Sequence, residues 1–202
     1  MLLPIHPGHP PANRIKRVVS ALSDGKIVIY PTDTVYGMGC SMMNKKAIGR
    51  IYQLKGLKKS HPVSFICSDL SHISEYAEIS NYAFRILRRL LPGPYTFVLP
   101  GSRKAPRLML TRRKTVGIRI PECLVAVRIV EGLGHPIVST SVIDRNGRVM
   151  DDPREIERLY RNDVAVVIDS GLSGIVSSSV VDLTTNEPVV LREGKGDVSL
   201  FE

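Results

Sequence analysis

One stretch constrains this chain more than any other: Lys26-Ile27-Val28-Ile29-Tyr30-Pro31-Thr32-Asp33-Thr34-Val35-Tyr36-Gly37-Met38-Gly39. A short apolar run, stopped by proline, reads as a buried strand. The Thr-Asp-Thr turn and two glycines that follow put side-chain oxygens and bare backbone at its end. Turns held by a rigid sheet are where α/β proteins tend to bind ligands. The same residues also read as a strand with an ordinary polar turn, so the rest of the chain has to decide.

Strand and helix patterns are interspersed along the 202 residues. Ile15, Val18, Val19 and Leu22 form a helical stripe over 13–24, closed by Gly25. Asn44 caps a second helix that buries Ala47, Ile48, Ile51 and Tyr52 and ends near Gly56. Residues 57–61 read as a basic loop. A third stripe runs over 81–91 until Pro92-Gly93-Pro94, with Arg85, Arg88 and Arg89 on its other face. Further helices are expected over 122–131 and 153–161. Strands are expected at 62–67, 95–99, 115–120, 137–140, 164–168, 179–183 and 189–192. Strands and helices do not alternate strictly, which predicts a mixed sheet with helices packed on it. A chain of this length is read as a single domain spanning 1–202, with its core at about 12–196.

Cys40, Cys67 and Cys123 form no CxxC pair, and no histidine spacing matches a metal motif, so neither a disulfide framework nor a metal site held by protein side chains is expected. The terminal His6 and His9 read as part of a mobile, solvated end. No apolar run is long enough to span a bilayer and the start lacks a signal-peptide pattern, so no membrane partner and a cytoplasmic location are expected. Net charge is +9. From Thr34 to Pro121 there are sixteen Lys/Arg and three acids, and between Ile79 and Pro121 ten bases and no acid. That asymmetry points to a polyanionic partner, nucleic acid or nucleotide phosphate.

Four polar clusters lie at predicted strand ends: Thr32-Asp33-Thr34, Ser139-Thr140-Ser141, Ser177-Ser178-Ser179, and Arg192-Glu193-Gly194-Lys195-Gly196. Hydroxyls and a Gly/Lys/Arg turn suit phosphate oxygens. Arg119 stands inside an otherwise apolar strand and needs a carboxylate, from the protein or from a ligand. There is no GxxxxGK[ST], no GxGxxG and no hydrolase triad order.

The run from Tyr30 to Gly39 resembles the YPTET-VYGLG signature of the YrdC-like family. Further matches follow in order: Lys55-Gly56, Pro92 to Val98, Val116-Gly117-Ile118-Arg119-Ile120-Pro121, Pro136 to Ser141, Ser178 to Asp182, and Leu191-Arg192-Glu193-Gly194. The ending Gly194-Lys195-Gly196-Asp197 looks most like the YciO branch. The resemblance implies an α/β fold with a twisted mixed sheet flanked by helices and a basic concave cleft. It implies an L-threonylcarbamoyladenylate synthase-like nucleotidyltransferase, which joins L-threonine, bicarbonate and ATP, with Mg²⁺ carried by the ATP. The products are threonylcarbamoyl-AMP and pyrophosphate, the former feeding tRNA threonylcarbamoyladenosine modification. By position, Thr32, Arg119, Ser139 and Ser178 would hold threonine; Lys55, Thr115, Ser141 and Arg192 would face the nucleotide, with Lys55 and Arg119 as catalytic cations. The alternative reading is a double-stranded RNA or tRNA-binding protein that keeps the fold without efficient synthase chemistry. Departures bear on that choice: Leu57 and Ile143 stand where synthases carry Arg and Asn, and Ile66 where longer synthases carry His.

Overall fold

The computed structural model describes residues 1–56, 63–106 and 114–201. Ten strands form one mixed sheet: β1 (Leu2–Pro4), β2 (Val28–Tyr30), β3 (Gly37–Ser41), β4 (Ser64–Ile66), β5 (Tyr95–Pro100), β6 (Thr115–Arg119), β7 (Ile137–Ser141), β8 (Val166–Asp169), β9 (Ser179–Asp182) and β10 (Val189–Arg192). Their order across the sheet is β1-β8-β2-β3-β7-β4-β6-β5-β9-β10. The pairs β1·β8, β2·β8, β4·β6 and β5·β9 are parallel and the other neighbours antiparallel. Six helices flank it among the described residues: α1 (Ala12–Ser23), α2 (Lys45–Leu54), α3 (Leu70–Tyr76), α4 (Asn81–Leu90), α5 (Leu124–Leu133) and α6 (Pro153–Tyr160). Asn44 caps α2 as expected, accepting from the Ala47 amide at 2.9 Å.

The period-2 alternation of strands sorts every residue to one face or the other. In β6, Val116 and Ile118 enter a core shared with α2, α3, α4 and α6, together with Phe97, Leu99, Phe65 and Val181. The opposite face has a second core, where Val28, Tyr30, Ile137, Val166 and Ile168 pack against α1 and α5. These two helices touch each other and pack over β1, β8 and β2, reaching Ile137 of β7 and Ile66 of β4. Over β6, β5 and β9 that face carries no helix among the described residues, and the cleft opens there.

Three elements differ from the sequence expectation. The N-terminus is anchored to the sheet, since Leu2–Pro4 pairs in parallel with β8 and Ile5 is fully buried, while His6 and His9 are exposed as expected. The glycine pair of the opening stretch is a strand, β3, and not a turn. A Cβ on Gly39 would lie 2.5 Å from Ile137 Cγ2 and 2.9 Å from the Val138 carbonyl, and one on Gly37 would lie 3.0 Å from the Tyr30 ring. The glycines make room for the Tyr30 ring, which crosses over them. Finally, α3 follows an Asp69 cap within a segment that has no long apolar stripe.

Candidate functional site

The cleft has a volume of about 1090 Å³, at the upper end of what small-molecule sites enclose. Its floor is the second parity of the same strands: Thr115, Gly117 and Arg119 of β6, Thr96, Val98 and Pro100 of β5, Val180 and Asp182 of β9, Ser64 and Ile66 of β4, and Ser139 and Ser141 of β7. Thr32 enters from the β2–β3 turn, and Ser178 and Arg192 from the rim. Seven of the eight residues singled out in the sequence therefore line one cavity. The eighth, Lys55, is not among the lining residues; it caps the C-terminus of α2, where its Nζ donates to the Ser141 carbonyl at 2.7 Å. Burial pushes its ammonium down to about 8.

Each hydroxyl has a defined task. The Thr32 Oγ1 braces its own turn, donating to the Val35 carbonyl at 2.6 Å and accepting from the Thr34 amide at 3.1 Å. Tyr30 donates to Ser139 Oγ at 2.6 Å. Burial raises the Tyr30 phenol far above its ordinary value and keeps it a donor, so the Ser139 proton is turned away from it. Ser178 Oγ lies 2.9 Å from Thr96 Oγ1. Arg192 reaches over it, donating from Nε and Nη2 to the Ser178 carbonyl at 3.1 and 2.8 Å.

Arg119 finds its carboxylate within the protein. Its Nη2 lies 2.5 Å from Asp33 Oδ1, with side chains only 7% and 10% exposed. The pair is incompletely satisfied, because Asp33 Oδ2 and Arg119 Nε have no partner among the described residues. Asp33 is held a second time, by Lys195 Nζ on its backbone carbonyl at 2.6 Å. The Lys195 loop is itself fixed: Gly194 donates to Ser179 Oγ, which donates to the Gly196 carbonyl. A Cβ on Gly194 would lie 2.4 Å from the Ser177 carbonyl, so this turn closes only on glycine. Burial, and then the charge of Arg119, lowers the Arg192 guanidinium below its usual range. None of the described carboxylates pairs with Arg192. The site therefore gathers Arg119, Arg192, Lys195 and Lys55 against Asp33 and Asp182, a net positive balance suited to anions.

Ser64, Thr96, Thr184 and Tyr30 are further site residues that strand-end clusters do not reveal, whereas Lys195 belongs to the fourth of those clusters. The signal for several of them is the alternation itself: Thr96-Phe97-Val98 and Thr115-Val116-Gly117-Ile118-Arg119 place small or polar groups on one face and core residues on the other. Ile143 is not on the cleft wall. It forms a bridge with Val149, and its carbonyl accepts from Tyr160 at 2.6 Å. Ile66 lies on the wall. Leu57 lies outside the described residues. The ten bases of 79–121 do not all serve the cleft. Arg119 does, whereas Arg85, Arg88 and Arg89 are exposed on α4, whose buried residues enter the core on the other face of the sheet.

A family model described as telomere recombination, covering Sua5, YciO and YrdC, matches residues 20–194. The chain belongs to the Sua5/YciO/YrdC family. YciO of Escherichia coli is 38% identical over 199 residues, with 98% of this chain and 97% of YciO covered. The crystal structure of E. coli YciO superposes with a TM-score of 0.96 over 100% of this chain and 99% of that one. A threonylcarbamoyl-AMP synthase of Pyrococcus abyssi is 31% identical over 183 residues, 90% of this chain and 54% of the synthase. The structure of P. abyssi Sua5 complexed with L-threonine is 28% identical, with a TM-score of 0.92 over 99% of this chain and 59% of Sua5. This family member thus shares the twisted mixed α/β sheet with both YciO and the synthases. Among its described residues, no helix is long and apolar enough to cross a membrane.

Proposed function

We propose that this chain is a threonylcarbamoyl-AMP synthase-like nucleotidyltransferase, acting on L-threonine, bicarbonate and ATP. The observation that carries the reading is the convergence of Arg119 and Arg192 with Ser139, Ser141 and Ser178 in one cleft, with Lys55 bonded to the Ser141 carbonyl beside it. The synthase relatives and the threonine complex of Sua5 support the choice of substrates.

The chemistry asks for positioning and charge rather than a titrating acid or base. The threonine amine adds to bicarbonate and loses water to give a carbamate. A carbamate oxygen then attacks the α-phosphorus of ATP, the bond to the bridging oxygen breaks, and pyrophosphate leaves with that electron pair. Holding carboxylate and phosphate side by side makes the attack effectively intramolecular. Fixed cations oppose the charge that builds on the phosphoryl oxygens. Arg119 and Ser178 would receive the amino acid; Lys55, through the Ser141 strand end, and Arg192 would receive the phosphates. Mg²⁺ would arrive on ATP, where it neutralises phosphate charge. Asp182 is the one carboxylate lining the cleft among the described residues, so most of the ion's oxygen ligands would come from the phosphates. The mixed anhydride formed is suited to donate threonylcarbamoyl in tRNA threonylcarbamoyladenosine modification. Pyrophosphate release that requires both threonine and bicarbonate tests the reading; release indifferent to threonine would overturn it.

A second reading has its own observation. Arg85, Arg88 and Arg89 project from α4, exposed and with no ion-pair partner among the described residues. A spacing of three and four residues sets them on one helical face. That face fits the phosphates of a double-stranded RNA or tRNA, away from the cleft.

A further inference from the structure

Asp33 is held from two directions. Its carboxylate meets Arg119 on the cleft floor, and its backbone carbonyl accepts from Lys195 Nζ at 2.6 Å. Lys195 and Asp33 come from opposite flanks of the cleft. Asp33 lies in the β2–β3 turn, whereas Lys195 follows β10 and is tied by its amide to Ser177, just ahead of β9. In the sheet order β3 and β9 stand five places apart, about 24 Å across a flat sheet and far beyond the reach of one side chain. The sheet is therefore curled until its flanks meet at one end of the cleft, and Lys195 spans the join. The backbone closes there too: a Cβ on Gly174, in the segment from β8 to β9, would lie 2.7 Å from the Thr34 carbonyl.

On the far flank the Lys195 turn is also bound to the place that holds Arg192. The Lys195 amide donates to the Ser177 carbonyl at 2.8 Å. The Arg192 guanidinium grips the next carbonyl, that of Ser178, at 2.8 and 3.1 Å. A continuous chain of contacts thus runs from Arg119 through Asp33, Lys195 and the Ser177-Ser178 backbone to Arg192. Its two ends are the cations assigned above to the amino acid and to the phosphates. The Lys195 side chain is exposed, and no carboxylate pairs with it among the described residues. Its ammonium rests on a neutral carbonyl in a site already rich in cations, where like charges repel. The contact serves the join between the flanks rather than the charge balance.

We propose that Lys195 is a positioning residue that couples the two halves of the cleft, so that amino acid and nucleotide each tighten the binding of the other. The proposal rests on the reading that the cleft holds both substrates, and adds the residue through which one is felt by the other. A ligand on Arg192 fixes the Lys195 turn; Lys195 then fixes Asp33, the counter-ion that orients Arg119. The second ligand meets a flank already ordered and loses less freedom on binding. The same linkage acts in reverse with equal size.

Calorimetric titration with L-threonine, with and without saturating α,β-methylene-ATP and Mg²⁺, reads the coupling as a ratio of two dissociation constants. In the wild type the nucleotide should tighten threonine at least about fivefold, and threonine should tighten the nucleotide by the same factor. Lys195→Met keeps the aliphatic stem and removes the donor; it should bring the ratio to within about twofold of unity. Lys195→Arg should restore the coupling. The approach of Gly174 to Thr34 remains in both variants, so the flanks stay together. A ratio near unity in the wild type would overturn the proposal without any variant. So would a ratio that survives in Lys195→Met, because a lysine that only braces the fold weakens each ligand alone and leaves the ratio intact. Failure of either ligand to bind the wild-type protein would remove the reading of the cleft, and this proposal with it.

Discussion

Removing Asp33 should damage the protein before it damages any reaction. Arg119 is 7% exposed, its Nη2 lies 2.5 Å from Asp33 Oδ1, and no other carboxylate pairs with it among the described residues. In Asp33→Ala a guanidinium is left buried and uncompensated, at a cost of about 3–5 kcal/mol. The unpartnered Arg119 Nε and Asp33 Oδ2 show that the native pair is already under-satisfied, which places the loss toward the lower end, about 3 kcal/mol. For a chain of this size each kcal/mol moves the midpoint by about 2–4 °C, so thermal unfolding should fall by roughly 6–12 °C. Arg119→Leu added to Asp33→Ala should recover most of it, because an apolar side chain in place of a broken pair is near neutral. The double-mutant cycle should therefore show strong coupling between the two sites. If the reading of Arg119 as a carboxylate receptor also holds, saturating L-threonine should raise the midpoint of Asp33→Ala by more than that of the wild type, since the ligand replaces the missing partner. A loss below about 1 kcal/mol in Asp33→Ala, the value of a surface bridge, would refute the reasoning.

Three further outcomes follow from particular contacts. Because burial brings Lys55 down to about 8, and a neighbouring phosphate favours the ammonium, nucleotide binding should take up a proton above that pH. ATP affinity should weaken as pH rises through 8, by up to about tenfold per unit, and Lys55→Met should flatten the profile; a wild-type affinity constant from pH 7 to 9.5 would contradict this. Gly39→Ala should lose about 1–3 kcal/mol in denaturant unfolding, its Cβ meeting Ile137 and the Val138 carbonyl, whereas Gly49→Ala on α2, with nothing within 4 Å, should gain about 0.4–1 kcal/mol. If RNA lies along α4, replacing Arg85, Arg88 and Arg89 by Gln should lower the salt slope of binding by about 2 to 3, near 0.9 per lost duplex phosphate contact; an unchanged slope would remove that surface.

Most of the helices were legible because their stripes are long and their caps local. The expected stripes over 13–24 and 81–91 match α1 and α4 to within a residue or so, and Asn44 performs the capping that its position suggests. What escaped was set by partners distant in sequence. β3 reads as a turn because two of its five residues are glycine; only the Tyr30 ring crossing them explains why. β1 has three residues and exists because β8, more than 160 residues away, pairs with it. The site was half legible. Polar clusters at strand ends point to Thr32, Ser139, Ser141, Ser178 and Arg192, and the sheet gathers them. The sequence left open whether Arg119 meets a protein or a ligand carboxylate, and folding answers with Asp33. Thr96, Ser64 and Asp182 sit on the floor of the cleft, not at its ends. Their meaning depends on which half of a sheet face the helices α1 and α5 leave bare, a property of topology rather than of any local pattern.

The central claim is that this cleft joins bicarbonate-derived carbon, threonine and adenylate. Its most direct measurement follows carbon-labelled bicarbonate in the presence of L-threonine, ATP and Mg²⁺, with the nucleotide products separated and identified by mass. The account predicts label in a single product that contains both threonine and AMP, formed in step with pyrophosphate and lost in Arg192→Ala. Pyrophosphate or AMP formed with no label in any nucleotide product would contradict it.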